Sequence, residues 1–563
     1  MTKYFWKSLC MLIFGLLICS ASLVAQKLSP GPQVLNFFSD ADDTEQPYGL
    51  YLPKGYDPNK KYPLVIMLHG AGSNHRLALR RVFGKSNAEG ETDVEASRYF
   101  PEWEDVEFIV ASPYARGTAG YQGIPEEDVY DVLADVKKRF NIDENKTYLT
   151  GLSMGGGGTL WIGLTRPDIW AAIAAVCPAP PAETFDLASN ALNFPIHLFH
   201  GDADPVVPVA GTQKWVSHFQ DIGVEVSYKE FVDVKHDSWV SAYDNEFIFE
   251  WFSHAERNPH PDRVNFVSKQ YKYNKAFWVT FDKINYGSLA EIDAKMSKVN
   301  TAEITTKNLQ AFTVNLKGHP KFKPGSNIAF TIDGKAVSAK TDSTLSFSKN
   351  ATGWSLVATT PAAPSSTLTK MKGAEGPIFD AFSTRHIYVY GTADNPAGDE
   401  LRNRLDIANK AAEWSQYRGP FLGRVMFFPR VMSDKEVRPS DLESCNLILF
   451  GTKESNSLIA KYANKLPVHL SPSDKSHGLF YVFPIEKHYV AVSSGLPWWT
   501  GAPDQGYPFV PVMHRKLSEF KDLVFFKDSS TNLITDTSFT ENWQLSEDTK
   551  NKLTSSGVIS ITK

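Results

Sequence analysis

The sequence predicts an α/β domain, then a small β-sandwich, then a smaller C-terminal α/β domain. Three observations carry that prediction. From Tyr48 to about Trp251 short apolar runs alternate with helical patterns. After about Pro261 come alternating strands with no helices between them. From Gly376 strands and helices alternate again. At roughly 150 residues per domain, 563 residues are too many for one ordinary core. The apolar fraction of 42% and charged fraction of 21% are those of a globular chain. A net charge of −5 gives no basic surface, so a nucleic-acid partner is not expected.

Residues 1–25 read as a secretory signal peptide. Lys3 and Lys7 precede or flank an eleven-residue apolar core, Leu9 to Cys19, followed by small residues up to Ala25. That core is shorter than the roughly 20 residues a membrane span needs, so no stable span is expected after cleavage. The expected location is secreted or periplasmic. Of four cysteines, Cys10 and Cys19 leave with the signal. Cys177 and Cys445 read as small buried hydrophobes without the neighbours of a metal site.

The mature chain then divides at 26–260, 261–358 and 371–563, with Pro-, Ser- and Thr-rich residues 359–370 as a linker. In the first unit "PLVIMLHG", "FIVASP", "TYLTG", "AAIAAVC", "PIHLFHG" and "VEVSYKEF" read as strands. "EEDVYDVLADVKKRF" reads as a helix, with Val129, Val132, Leu133, Val136 and Phe140 at helix spacing. Acidic residues in its first turn and basic ones in its last complement the dipole. "GTQKWVSHFQDIG" is a second helix, stopped by Gly223. Such alternation predicts a mostly parallel sheet with helices on both faces. In the last unit "HIYVYGT", "RVMFF", "NLILFGT", "GLFYVFP" and "YVAVSSG" read as strands. The echoing "YGTADN" and "FGTKESN" fit ligand-contacting turns at one sheet edge or ordinary strand-to-helix turns. The ordinary reading is preferred because neither holds a phosphate-binding glycine pattern.

The chemistry is concentrated in "TGLSMGGGG", Thr150 to Gly158. Gly151-Leu-Ser153-Met-Gly155 is G-x-S-x-G between a strand and a helix. There the serine sits on a tight, strained turn, and a side chain at Gly151 or Gly155 would strike a neighbouring strand or helix. A phosphate cradle is disfavoured, since Leu160 stands where the third glycine of G-x-G-x-x-G would fall. Gly156 is expected to let the helix start approach the sheet. Gly157 and Gly158, each costing about 1 kcal/mol in a helix, predict close backbone packing.

A serine nucleophile needs a base and a carboxylate to orient it. In the α/β-hydrolase layout the order is Ser, acid, His, each after a strand. "HGDADPVVP" supplies Asp204 and "KHDSW" supplies His236. Asp202 is the rival acid, with turn-shaping as its other role. His69 and His200 end strands and are not assigned as base, and Asp237 is too close to His236 to partner its ring. The remaining histidines show no metal spacing, and no motif asks for a cofactor. Backbone N–H groups of Met154 and of Ala71, in "LHGAGSN", are the expected oxyanion donors.

With these residues in place, "YGLYLPKGYDPNKKYPLVIMLHGAG", "GLSMGGGGTLWIGLTRPDIW", "HGDADPVVPV" and "KHDSWVSAY" resemble secreted α/β-hydrolases of the esterase D, feruloyl-esterase and polyhydroxybutyrate-depolymerase-like kind. That group is related to the catalytic domain of the prolyl-oligopeptidase family. The resemblance covers roughly residues 45–255. It implies Ser153 as nucleophile, Asp204 as acid, His236 as base, and Met154 and Ala71 as oxyanion donors. "SPYARGTAGYQG" is similar to a cleft-lining loop, which implies substrate contacts from Tyr114 and Arg116, with loop packing as their other role. Trp239 stands three residues after His236 as a cleft wall or a core residue.

Three functions are then in play. The first is an esterase on acylated carbohydrate of plant or bacterial origin, or on a related ester. The second is a prolyl-oligopeptidase-type peptidase, weakened because no repeated propeller blades precede "YGLYLP". The third is a glycan-binding surface protein that uses Trp498 and Trp499 of "PWWTG" on a hydrolase scaffold. The short stretch between "AVCPAP" and "PIHLFHG" leaves no room for a large lid, so an open cleft is expected.

Overall fold

A computed structural model describes residues 28–339, 342–357, 368–415, 422, 424–505 and 509–562. The signal segment and residues 359–367 of the expected linker lie outside the described residues.

The first unit is built on an eight-stranded sheet. Its strands are Gly31–Ser39 (β1), Thr44–Leu52 (β2), Tyr62–Leu68 (β3), Ile109–Pro113 (β4), Ile142–Leu152 (β5), Ala172–Val176 (β6), Ile196–Gly201 (β7) and Val226–Phe231 (β8), in the order β1-β2-β4-β3-β5-β6-β7-β8. β1 and β2 pair antiparallel, as do β2 and β4, and all later pairs are parallel. The β1–β2 hairpin was not expected from the sequence. Its "TEQPYGLYL" carries a proline and a glycine that weaken strand propensity, and pairing with β4 overrides them. β4 and β6 are buried along their whole length, which is why they read as continuous apolar runs rather than alternating ones. The helices Ile124–Arg139 and Met154–Thr165 pack against one face. Helices His75–Val82 and Phe247–Ser253 pack on the other. This unit is an α/β-hydrolase domain.

The chain leaves β3 toward β4 on one side and returns to β5 on the other. The sheet's direction of winding therefore reverses between β3 and β5, and loops beyond their carboxyl ends splay apart to leave a crevice. "LHGAG" and Ser153 follow those two strands.

Two five-stranded sheets come next and enclose a single apolar core. One runs from Lys275–Ala276 through Val279–Ile284, Leu309–Asn315 and Thr344–Asn350 to Gly353–Val357. The other holds Lys335–Ala339, Ile328–Ile332, Thr301–Lys307, Ala290–Lys298 and Arg263–Ser268. Their strands alternate buried and exposed residues, as in Ala290–Lys298.

The last unit has a seven-stranded sheet in the order Val431–Ser433, His386–Tyr390, Asn446–Phe450, His488–Gly495, His477–Ile485, Leu523–Lys527, Leu533–Thr537. Its first four strands are parallel. "RVMFF" is not a strand of this sheet. It runs along the hydrolase unit, with the N–H of Met426 donating to the Arg116 carbonyl (3.0 Å) and Val425 and Phe427 buried against Ile124. The three units are thus packed together. Among the described residues no helix is long and apolar enough to cross a membrane.

Candidate active site

Ser153 sits between β5 and the helix Met154–Thr165 with φ 55° and ψ −117°. For a residue with a Cβ this costs about 1–3 kcal/mol and must be imposed by the surroundings. Close approach imposes it. A Cβ on Gly151 would lie 2.4 Å from the Gly155 carbonyl oxygen, and one on Gly155 would lie 2.3 Å from that of Leu68 in β3. On the other side the Ser153 N–H donates to Val176 at the end of β6 (2.9 Å).

The remaining glycines have neighbours of their own. A Cβ on Gly156 would meet the Val176 carbonyl oxygen at 2.4 Å, and one on Gly157 that of Ala179 at 2.2 Å. At Gly158 the obstacle is the Tyr121 ring, 2.5 Å away, rather than backbone. All three are buried.

Asp204 lies in the loop after β7, and His236 in the loop after β8. The His236 Nδ1–H donates to Asp204 Oδ2 (2.7 Å), and His236 Nε2 stands 3.0 Å from Ser153 Oγ. Asp204 Oδ1 accepts the N–H groups of Val206 (2.8 Å) and Val207 (2.9 Å). Burial pushes this carboxyl up, but the His236 bond and those two N–H groups outweigh it and hold it below its ordinary value. Asp202 instead accepts the N–H of Asp233 (2.7 Å), tying the two loops together. His200 is committed to Thr212 Oγ1 (2.8 Å) and the Val207 carbonyl (2.9 Å). His69 lies between the carbonyl oxygens of Gly70 and Tyr114, each at 2.8 Å.

Ala71 is exposed in the loop after β3. That loop abuts the elbow, since a Cβ on Gly70 would lie 3.5 Å from Ser153 Cβ. It is held by the Gly72 N–H donating to Thr118 Oγ1 (2.8 Å) and by Asn74, whose side chain caps the following helix through the N–H groups of Arg76 and Leu77. Met154 follows Ser153 as the first helical residue.

Two expected substrate contacts are corrected. Arg116 is 1% exposed and its guanidinium is engaged internally: Nε donates to Asp128 (2.7 Å), Nη1 to Asp42 (2.6 Å) and Nη2 to Ser39 (2.5 Å) and Asp128 (3.2 Å). Tyr114 is buried, and its hydroxyl donates to the Arg424 carbonyl (2.9 Å). Both pack the loop against its surroundings, Arg116 with most of its donors spent on buried partners and Tyr114 on the C-terminal unit. Trp239 stands edge-on to His236 with ring centroids 5.5 Å apart, partly buried against the core. Trp498 and Trp499 are buried, Trp498 stacking on Phe480 at 4.4 Å, so they offer no glycan platform.

The C-terminal unit reaches the neighbourhood of the elbow, which the sequence did not suggest. Residues Ala182–Asn193 form short turns rather than a lid. A cavity of about 490 Å³ nevertheless opens beside Met154 with walls from two units. Tyr121, Trp161 and Pro180 come from the hydrolase unit, and Phe379, Trp414 and His514 from the C-terminal unit. Trp414 is held in place by stacking on His514 at 3.9 Å. No sequence pattern announces that residues more than 200 positions from Met154 line the same cavity.

Cys177 is the other surprise. It ends β6, between the strands that carry Ser153 and Asp204, and sheet order alone would have placed it there. Its Sγ–H donates to the His236 carbonyl (3.6 Å), and its sulfur lies within 4.8 Å of donor atoms of Asp204 and His236. The cysteine therefore does have ligand-type neighbours, contrary to expectation. Burial pushes its thiol up to about 12, and the carboxylate and imidazole are already bonded to each other.

Fold and site together define a class, the α/β-hydrolase domain with serine, histidine and aspartate chained by hydrogen bonds at the carboxyl ends of its strands. Residues 39–307 match the Esterase family model, described as "Putative esterase". A bifunctional acetylxylan esterase/xylanase of Neocallimastix patriciarum is 27% identical over 178 residues, 31% of this chain and 23% of that protein. A probable feruloyl esterase C of Aspergillus terreus is 24% identical over 215 residues, 36% of this chain and 71% of that protein. The crystal structure of a thermostable esterase aligns with a TM-score of 0.33 and 27% identity, covering 40% of this chain and 63% of that one. The matched region thus spans about a quarter of the first relative's length.

Proposed function

We propose that this chain is an exported serine hydrolase that cleaves carboxylic esters through an acyl-enzyme on Ser153. One observation carries the reading: His236 bridges Ser153 Oγ (3.0 Å) and Asp204 Oδ2 (2.7 Å) on a strained elbow. With Asp204 fixing Nδ1–H, the Nε2 lone pair faces the serine hydroxyl. Ser153 Oγ attacks the ester carbonyl carbon while Nε2 takes its proton. Asp204, kept ionised by its N–H partners, stabilises the imidazolium. The N–H groups of Ala71 and Met154 receive the oxyanion, and each such donor is worth around 10²–10³ in rate. Collapse expels the alcohol, which takes the proton from His236. Water then repeats the sequence to release the acid.

The substrate class follows from the cavity and the relatives. Aromatic walls suit a bulky acyl group or the sugar bearing it. The acetylxylan and feruloyl esterases among the relatives support ester-linked acyl groups on polysaccharide. The Leu9–Cys19 segment supports export. For the peptidase reading, no array of propeller blades stands over the cleft among the described residues.

The test is a panel of acetyl, butyryl, feruloyl and uronate methyl esters with the purified protein beside Ser153→Ala. Turnover that vanishes in the variant supports the proposal. Turnover that survives it, or cleavage of proline-containing chromogenic peptides with no ester turned over, overturns it.

A further inference from the structure

A second crevice lies in the C-terminal unit, away from Ser153. Its sheet reverses its winding once. From His386–Tyr390 the chain passes through the helix Gly398–Ala412 to Val431–Ser433 on one side, then returns to Asn446–Phe450 on the other. Beyond the carboxyl ends of the two central strands the loops diverge, which is where open α/β sheets take their ligands. The two echoing turns, "YGTADN" and "FGTKESN", flank this point, and a cavity of about 530 Å³ fills it. That volume falls in the range of roughly 300–1,000 Å³ typical of small-molecule sites.

The lining has one rim held by ion pairs and several open polar groups. Arg404 is clamped by Asp394 (2.7 Å), Glu400 (2.8 Å) and the Gly391 carbonyl (3.0 Å), which fixes one rim. At the end of His488–Gly495, Ser493 lines the cavity, and its hydroxyl makes no hydrogen bond to another described residue. The half-buried Thr452 and the exposed Asn403 add a hydroxyl and an amide to the same lining, likewise without a hydrogen bond from those groups to another described residue. A hydroxyl that faces a cavity without a protein partner keeps its donor and lone pairs for a ligand or water.

The charge of the lining narrows the ligand. Four carboxylates stand against Arg404 and Lys475. The amino end of the helix Gly398–Ala412, which would otherwise attract an anion, carries Asp399 and Glu400. Phosphorylated ligands are disfavoured on both counts. Hydroxyl, amide and carboxylate groups in one lining with apolar Leu470 and Leu496 suit a ring with hydroxyls on its edge and C–H on its face.

We infer that this crevice is a binding site for a neutral sugar of a polysaccharide chain, separate from the ester-cleaving site. The inference goes beyond the proposed activity and does not depend on Ser153 chemistry.

The test uses the full chain carrying Ser153→Ala, run in native gels containing arabinoxylan, glucomannan or mixed-linkage glucan. Retardation by at least one polysaccharide is expected. It should weaken at least tenfold in Ser493→Leu, which fills the crevice, and in the surface pair Asn403→Ala with Thr452→Val. Introduced without Ser153→Ala, the same changes should leave p-nitrophenyl acetate turnover unaltered. Should Ser493→Leu fail to fold by circular dichroism, the surface pair decides. No retardation by any polysaccharide, retardation kept within twofold in the crevice variants, or binding of inorganic phosphate or AMP instead would overturn the inference.

Discussion

The Tyr114 hydroxyl donates to the main-chain oxygen of Arg424 across 310 residues of chain, and this bond fastens the C-terminal unit to the hydrolase unit at the loop after β4. A Cβ on Gly117 would lie 2.3 Å from the same Arg424 oxygen, so the two backbones are as close as glycine permits. The C-terminal unit is therefore held against the hydrolase domain by close contacts at this loop.

The first prediction concerns that unit's wall of the cavity beside Met154. Trp414→Ala removes an aromatic face at the cavity. One aromatic contact is worth about 0.5–1.5 kcal/mol, or roughly a 2–10-fold change. KM for a feruloyl ester should rise by that factor, while kcat/KM for an acetyl ester stays within about twofold. Equal losses on both esters would show that the wall does not select the acyl group.

Asp204→Asn should lower kcat by roughly 10⁴ with little change in KM, because the imidazole loses the partner that fixes its tautomer. The acid side of the pH profile is informative as well. The folded-state value of Asp204 is depressed, so its charge is present above the unfolded value and is lost only as pH falls through the lower folded one. Activity lost between pH 7 and 5 should therefore not come from this carboxyl. A carboxylate titration of Asp204 above pH 4, followed by NMR, would contradict the geometry.

Arg116→Met separates structure from substrate contact. The change leaves Asp42 and Asp128 buried without their cation. Breaking a buried pair in this way costs about 3–5 kcal/mol. Urea unfolding should show that loss, with KM of the folded enzyme nearly unchanged. A raised KM at full stability would restore the substrate-contact reading.

Glu375 sets a pH dependence of stability. Its carboxylate, where the C-terminal unit meets the sandwich, accepts the N–H groups of Tyr271 (2.5 Å) and Lys272 (2.7 Å). Burial, with nearby Asp380, pushes it up to about 8. Between about pH 4.5 and 8 the folded state holds a proton that the unfolded chain has released, so stability falls as pH rises through that window. The thermal midpoint should be higher at pH 5.5 than at pH 8, and Glu375→Gln should flatten the decline. Parallel profiles for the two proteins would show that Glu375 does not titrate there.

The sequence determined the hydrolase sheet from β3 onward and the grouping of Ser153, Asp204 and His236. Apolar runs ended by turn residues fix which strand precedes each of them, and a parallel sheet brings all such ends to one edge. It also determined that the glycines after Ser153 meet close neighbours, because four in a row inside a helix need a steric reason. Tertiary structure alone decided what surrounds the site. The sequence allowed Arg116 either a substrate contact or loop packing, and its buried partners Asp42 and Asp128 decide for packing. "RVMFF" has a strand's composition, but it gives up sheet pairing to lie along the Arg116 loop. Trp498 and Trp499 turned inward, and Trp414 turned toward the cavity. Local sequence encodes an element and its ends. Which elements from distant segments meet depends on shape and burial across hundreds of residues, and no short pattern carries that information.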